Sequence, residues 1–158
     1  MEFSGAGRVD SGALPDFLRD NIGYLLNRNA RTLKEWMTLA LAEVDLGFHE
    51  YVVLRMLEME LAASQQDIGR LSGIDRTSMV ALLDRLEARA LIIRSRDLQD
   101  RRKHKLILTP RGRKTLTHAK RIAGKVHQRF IAPLTPEEWQ GLKGCLEKLI
   151  LGSGENIL

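Results

Sequence analysis

The chain has 158 residues, enough for one domain to bury a core without staples, and its 44% hydrophobic and 28% charged residues exclude wholesale disorder. A single cysteine, Cys145, excludes an intrachain disulfide framework and a structural zinc–thiolate site. No apolar run approaches the roughly 20 residues a membrane span needs, and residues 1–20 lack a signal-peptide stretch, so a cytoplasmic protein with no membrane contact is expected. The net charge of +5 is unevenly placed: thirteen Lys or Arg against two acids between Arg94 and Arg129 put +11 there and leave −6 elsewhere. Such a concentration is what a phosphate-neutralising surface requires, although a solvated charged face would look the same.

Residues 1–14, with Ser4, Gly5, Gly7, Ser11 and Gly12, read as a mobile leader to a single domain over 15–158. After Pro15, apolar residues at mixed three- and four-residue spacing (Phe17, Leu18, Ile22, Leu25, Leu33, Met37) predict a long helix to about Val44, with an interruption near Asn27–Asn29. Gly47 ends it, and a second helix follows from about His49 to Met59. Ser64 and Asp67 have the spacing of a capping box, which starts a short helix to about Leu71. Ser72-Gly73-Ile74 is a tight turn, and Asp75 is a good N-cap for a helix from Arg76 to about Arg89, with Met79, Leu82, Leu83 and Leu86 on its inner face. Two short helices meeting at a glycine turn are a helix-turn-helix, whose second helix enters a DNA major groove with its N-terminal residues leading.

The pattern then changes. Leu91-Ile92-Ile93 and Leu106-Ile107-Leu108 are apolar runs joined by an almost wholly polar segment, which predicts a β-hairpin, or wing. Thr109 caps and Pro110 opens the next helix, to about Phe130; Pro133 breaks it, and Thr135-Pro136-Glu137-Glu138 starts a last helix through Trp139, Leu142, Leu146 and Leu149. The fold class is therefore mainly α with a small β-hairpin wing.

Arg76, Thr77 and Ser78 sit where short donors and a guanidinium can reach base edges and phosphates, although Ser and Thr favour helix starts for capping alone. In the hairpin, Asp97 and Asp100 lie among Arg94, Arg96, Arg101, Arg102, Lys103 and Lys105, so a carboxylate can orient a cation there. An oriented arginine suits a narrow, electronegative minor groove.

The run Ser64 to Ile74, the helix from Asp75 through Arg85-Leu86-Glu87, and the hairpin ending Asp100-Arg101-Arg102 … Leu108-Thr109-Pro110-Arg111-Gly112 resemble the MarR family of dimeric winged-helix transcription regulators. The most specific piece is D-x-R followed by an apolar strand and L-T-x-x-G: Asp100, Arg102, Leu108, Thr109 and Gly112. The resemblance implies a winged helix-turn-helix lobe at about 48–109, flanked by dimerisation helices at about 15–45 and 110–150. It makes Arg102 the wing-tip arginine, held by Asp100, and turns Arg76, Thr77 and Ser78 toward the major groove; Arg85, Arg94, Arg96, Arg101 and Lys103 are the further expected DNA contacts. A two-fold homodimer on double-stranded DNA would then read a pseudo-palindromic operator. Ala90 departs from the glycine common in the family after the recognition helix, so a different local turn is expected there.

The resemblance also implies a small aromatic or phenolic effector, with Trp36 and His49 near the elements that line its cleft, although each residue has an ordinary packing role as the alternative. Peroxide-sensing relatives use a cysteine in the first helix, and Cys145 lies in the last. No metal is expected, because the four histidines show no ligand spacing, and no cofactor. No G-x-S-x-G, Walker A, H-E-x-x-H or dinucleotide fingerprint supports an enzyme. The expected function is a sequence-specific, ligand-responsive repressor; the rival is a DNA-coating or protein-interaction module without a ligand switch.

Overall fold

A computed structural model describes residues 14–59, 65–96 and 104–153. The chain forms two units, residues 1–32 and 33–158. In order, the elements are α1 (Asp16–Arg19), α2 (Ile22–Leu41), a 3-10 turn (Ala42–Val44), α3 (Phe48–Glu58), α4 (Gln65–Ser72), α5 (Arg76–Ala88), β1 (Ile92–Arg96), β2 (His104–Leu108), α6 (Pro110–Ile131) and α7 (Pro136–Ser153). The mainly helical architecture with one antiparallel hairpin is the class expected from the sequence. The leader falls outside the described residues up to position 13, as does Ser64 of the expected capping box.

The first unit contains α1 and the start of α2. The helix breaks at Asp20–Asn21 and runs unbroken through Asn27–Asn29, which corrects the interruption expected there. The cause is local capping. Asn21 Oδ1 accepts the Tyr24 backbone N–H at 2.9 Å, starting a new helix, whereas Asn29 Nδ2 donates to the Leu25 carbonyl and stays within its own turn. Phe17, Ile22 and Leu26 are exposed on this unit.

The second unit holds the core. Leu41, Leu54, Ile68, Met79, Leu83, Leu86, Leu91, Ile92 and Leu116 are fully buried, so the end of α2, helices α3 to α6 and the base of the hairpin share one apolar centre. The hairpin pairs Ile92 with Leu108 and Arg94 with Leu106, which turns Ile92, Leu106 and Leu108 inward and leaves Ile93 exposed. Its strands run to Arg96 and from His104, beyond the apolar triplets that announced them. Backbone pairing continues where the side chains are polar, because the ladder needs only N–H and C=O groups.

At the end of α5 the chain turns through Ala90, whose φ is +53°. The Ala90 N–H donates to the Glu87 carbonyl at 2.8 Å and the Leu91 N–H to the Leu86 carbonyl at 2.9 Å, the two bonds of a Schellman turn. The different turn expected from alanine is therefore absent: the glycine-type turn is retained, and alanine bears the left-handed conformation. Leu91, fully buried just after it, offsets the strain by plugging the core.

Thr109 and Gly112 secure the same junction from the other side. The Thr109 N–H donates to the Leu91 carbonyl at 3.1 Å, and its hydroxyl lies 2.7 Å from the Ala90 carbonyl and accepts the Gly112 N–H at 2.9 Å, capping α6. A Cβ at Gly112 would fall inside the Leu91 carbonyl oxygen and lie 3.1 Å from Leu108 Cδ2, so only glycine lets α6 approach this closely. The L-T-x-x-G pattern is thus the packing seam between the hairpin, the end of α5 and the start of α6.

Two stability measurements check this junction. Gly112→Ala should cost about 2–3 kcal/mol or more in denaturant unfolding, because the colliding atom is backbone. Ala90→Gly should instead stabilise the fold by about 0.5–1 kcal/mol by relieving the left-handed strain; a loss of stability would contradict the strain argument.

Candidate nucleic-acid interface

Helix α5 offers its first turn to solvent by a local mechanism. The Ser78 N–H donates to Asp75 Oδ1 at 2.9 Å, so Asp75 caps the helix, and hydrogen bonds from Ser78 hold its carboxyl below the usual carboxylate range. The turn before it passes through Gly73 at φ +66°. With Met79, Leu82, Leu83 and Leu86 buried, the 3.6-residue repeat leaves Arg76, Thr77, Ser78, Val80, Ala81, Asp84 and Arg85 exposed on the opposite face. Arg76, Thr77 and Ser78 therefore stand together as expected.

The pose of α5 is held from beneath by Glu50, the one buried charged residue among those described. Glu50 Oε2 accepts the Gly47 N–H at 3.0 Å, which secures the start of α3. Its two oxygens also face α5: Arg85 Nε donates to Oε1 at 3.2 Å and Arg89 Nη1 to Oε2 at 3.3 Å. Arg89 continues the network to Asp45 at 3.0 Å, on the turn after α2. A buried carboxylate is tolerable only when its lone pairs are filled in this way.

Arg94 ties the hairpin to the same helix. Its Nη1 donates to Glu87 Oε2 at 2.8 Å, its Nη2 to Asp84 Oδ1, and its backbone N–H to Glu87 Oε1 at 3.2 Å. Two carboxylates of α5 thus engage the Arg94 guanidinium, which positions the strand against the helix. Arg85 is likewise paired with Glu50, yet its side chain remains 60% exposed. Arg96 is in β1, paired with His104. Asp100, Arg101, Arg102 and Lys103 lie outside the described residues. Arg111, Arg113 and Lys114, on the first turns of α6, add exposed cations next in the chain to the hairpin.

On the other side of α3 lies a cleft of about 430 Å³, bounded by the end of α2, α3 and α6. Leu33, Met37, Phe48, Tyr51 and Ala123 make it largely apolar, and Arg55 and Lys120 supply cations. Burial pushes the Tyr51 hydroxyl above its usual range. Neither Trp36 nor His49 borders this particular cleft. Trp36 packs edge-on against Phe130, ring centres 6.0 Å apart, beneath the Arg129 guanidinium at 4.9 Å. His49, pushed below its usual pKa by burial and then by Lys34, borders a separate hollow beside Ser78 and Arg85. Sequence periodicity places Arg55 and Lys120 on helices but does not show that they share a cleft.

With this geometry established, comparison with known proteins gives a consistent result. The MarR family profile matches residues 49–104. The HTH-type transcriptional repressor Rv2887 of Mycobacterium tuberculosis is 30% identical over 128 residues, covering 81% of this chain and 92% of that protein. Among solved structures, the transcriptional repressor CouR bound to a 23-mer DNA duplex superposes with TM-score 0.79 at 33% identity, over 89% of this chain and 99% of that one. Rv2887 in complex with salicylic acid superposes with TM-score 0.69 at 29% identity, over 82% of this chain and 96% of that one. The helix-turn-helix, the hairpin clamped to it and these likenesses together place the chain in the MarR family.

Proposed function

We propose that the protein is a cytoplasmic, ligand-responsive transcriptional repressor that binds a pseudo-palindromic operator as a homodimer. The observation that carries the reading is the Arg94 clamp: it makes the exposed first turn of α5 and the cationic hairpin one presenting surface. In this reading Arg76, Thr77 and Ser78 meet base edges and phosphates in the major groove, with Arg85 beside them. Arg96, Arg101, Lys103 and Arg102, the last held by Asp100, reach the flanking backbone and minor groove. The DNA duplex held by CouR supports this assignment by similarity. Residues 48–109 would form the DNA-binding lobe, and 15–45 with 110–150 the dimerisation helices, whose exposed Phe17, Ile22, Leu39 and Leu142 call for an apolar partner.

The cleft beside α3 supports ligand response. An apolar chamber with two cations at its rim suits a planar aromatic acid, and the salicylic acid bound to Rv2887 is of that class. Trp36 and His49 support the surrounding packing in this reading.

Selection of bound genomic fragments at fixed salt should return a pseudo-palindrome with half-sites about one helical turn apart, resistant to bulk competitor. Equal affinity for every sequence would instead favour the DNA-coating module. Arg102→Ala and Arg76→Ala should each weaken operator binding about tenfold or more while leaving the dimer intact by sedimentation. Glu50→Gln should weaken operator binding as well and lower stability by about 1–2 kcal/mol, although it touches no DNA in this reading, because α5 loses its support.

A further inference from the structure

The cationic rim of the cleft is already occupied by an anion from the chain itself. Glu58, at the end of α3, accepts from Lys120 Nζ at 3.0 Å and 3.1 Å through its two oxygens, and from Arg55 Nη1 at 2.7 Å. Lys120 comes from α6 and Arg55 from α3, and both border the cleft, whereas Glu58 does not. One carboxylate therefore satisfies both cations that the cleft offers to a ligand.

We infer that Glu58 is a built-in competitor: an aromatic acid entering the cleft exchanges its carboxylate for that of Glu58 on Lys120 and Arg55, so Glu58 sets how strong an anion the site demands. The inference rests on the cleft being the effector site and adds how that site is regulated. All three side chains are partly exposed, between 30% and 42%, so the pair is exchangeable and not locked in the core. The Lys120 hydrogen bond, foremost, holds the Glu58 carboxyl below its usual range. The exchange also has a structural consequence: Glu58–Lys120 is a direct ionic tie between α3, which carries Glu50 and so supports α5, and α6. A bound acid would sever it.

The test is binding of two probes, salicylate and the fluorescent anilinonaphthalene sulfonate, to the full chain by calorimetry and fluorescence. Glu58→Gln should tighten both by about twofold to fivefold, the scale of an exposed ion pair. Lys120→Gln should weaken both about threefold to tenfold, and adding Glu58→Gln to it should recover less than it gains in the parent. Glu58→Asp, which withdraws the charge by one methylene, should give an intermediate gain and decides the matter if the Gln variant fails to fold. A merely structural Glu58 would show unchanged or weaker binding in both Glu58 variants, which overturns the competitor while leaving the effector cleft standing. If neither probe binds the parent and Lys120→Gln changes nothing, the cleft reading falls and the inference with it.

Discussion

The arrangement of the proposed DNA-facing surface depends on one buried carboxylate. Removing Glu50 from water is costly, and the cost is met because a backbone N–H and two guanidinium groups converge on its two oxygens. The partners come from different parts of the chain, the start of α3 and the last turns of α5, so the interaction fixes the rotation of α5 about its own axis as well as its position. An apolar contact could hold the helix down but would tolerate sliding and rolling. Ionic hydrogen bonds with fixed directions tolerate far less. From α5 the same logic passes to the hairpin through Arg94 and, by way of Arg89, to the turn at Asp45.

Around this ionic frame the backbone is closed by a close-packed seam. The Leu91 carbonyl accepts the Thr109 N–H and faces the bare Cα of Gly112, so the start of α6 is seated directly on the exit from α5. The strain at Ala90 persists because its neighbours over-determine it: Leu91 is fully buried and its carbonyl is engaged. Leu108, Thr109 and Gly112, which carry the described part of the family signature, owe their pattern to packing.

Local devices are legible in the amino-acid sequence. Asp75 as a cap and Thr109-Pro110 and Thr135-Pro136 as helix starts each depend on atoms within four residues, and each appears where its residues stand. Helical periodicity identifies the buried face of α5 correctly for the same reason. The ionic framework is illegible there, because Glu50 meets Arg85 and Arg89 across 35 and 39 residues and Glu58 meets Lys120 across 62, and charge at such separations carries no periodic trace. Hence Arg94 reads as one more cation of a basic strip, and only the folded chain brings its carboxylate partners to it. The misplaced helix break follows similarly: three polar residues at Asn27–Asn29 look like an interruption, whereas a single well-placed Asn21 side chain makes one.

The Arg94 clamp has a consequence for how a DNA reader of this kind discriminates. With the hairpin ionically fastened to α5, the two parts proposed to meet DNA would act as the jaws of a calliper set to one opening. In that reading a duplex would have to present a major groove and a neighbouring minor groove at that separation, and one that does not would have to be bent or compressed to fit. Sequences with the correct bases but a stiff or wrongly spaced groove would then be rejected on mechanical grounds, at positions no side chain touches.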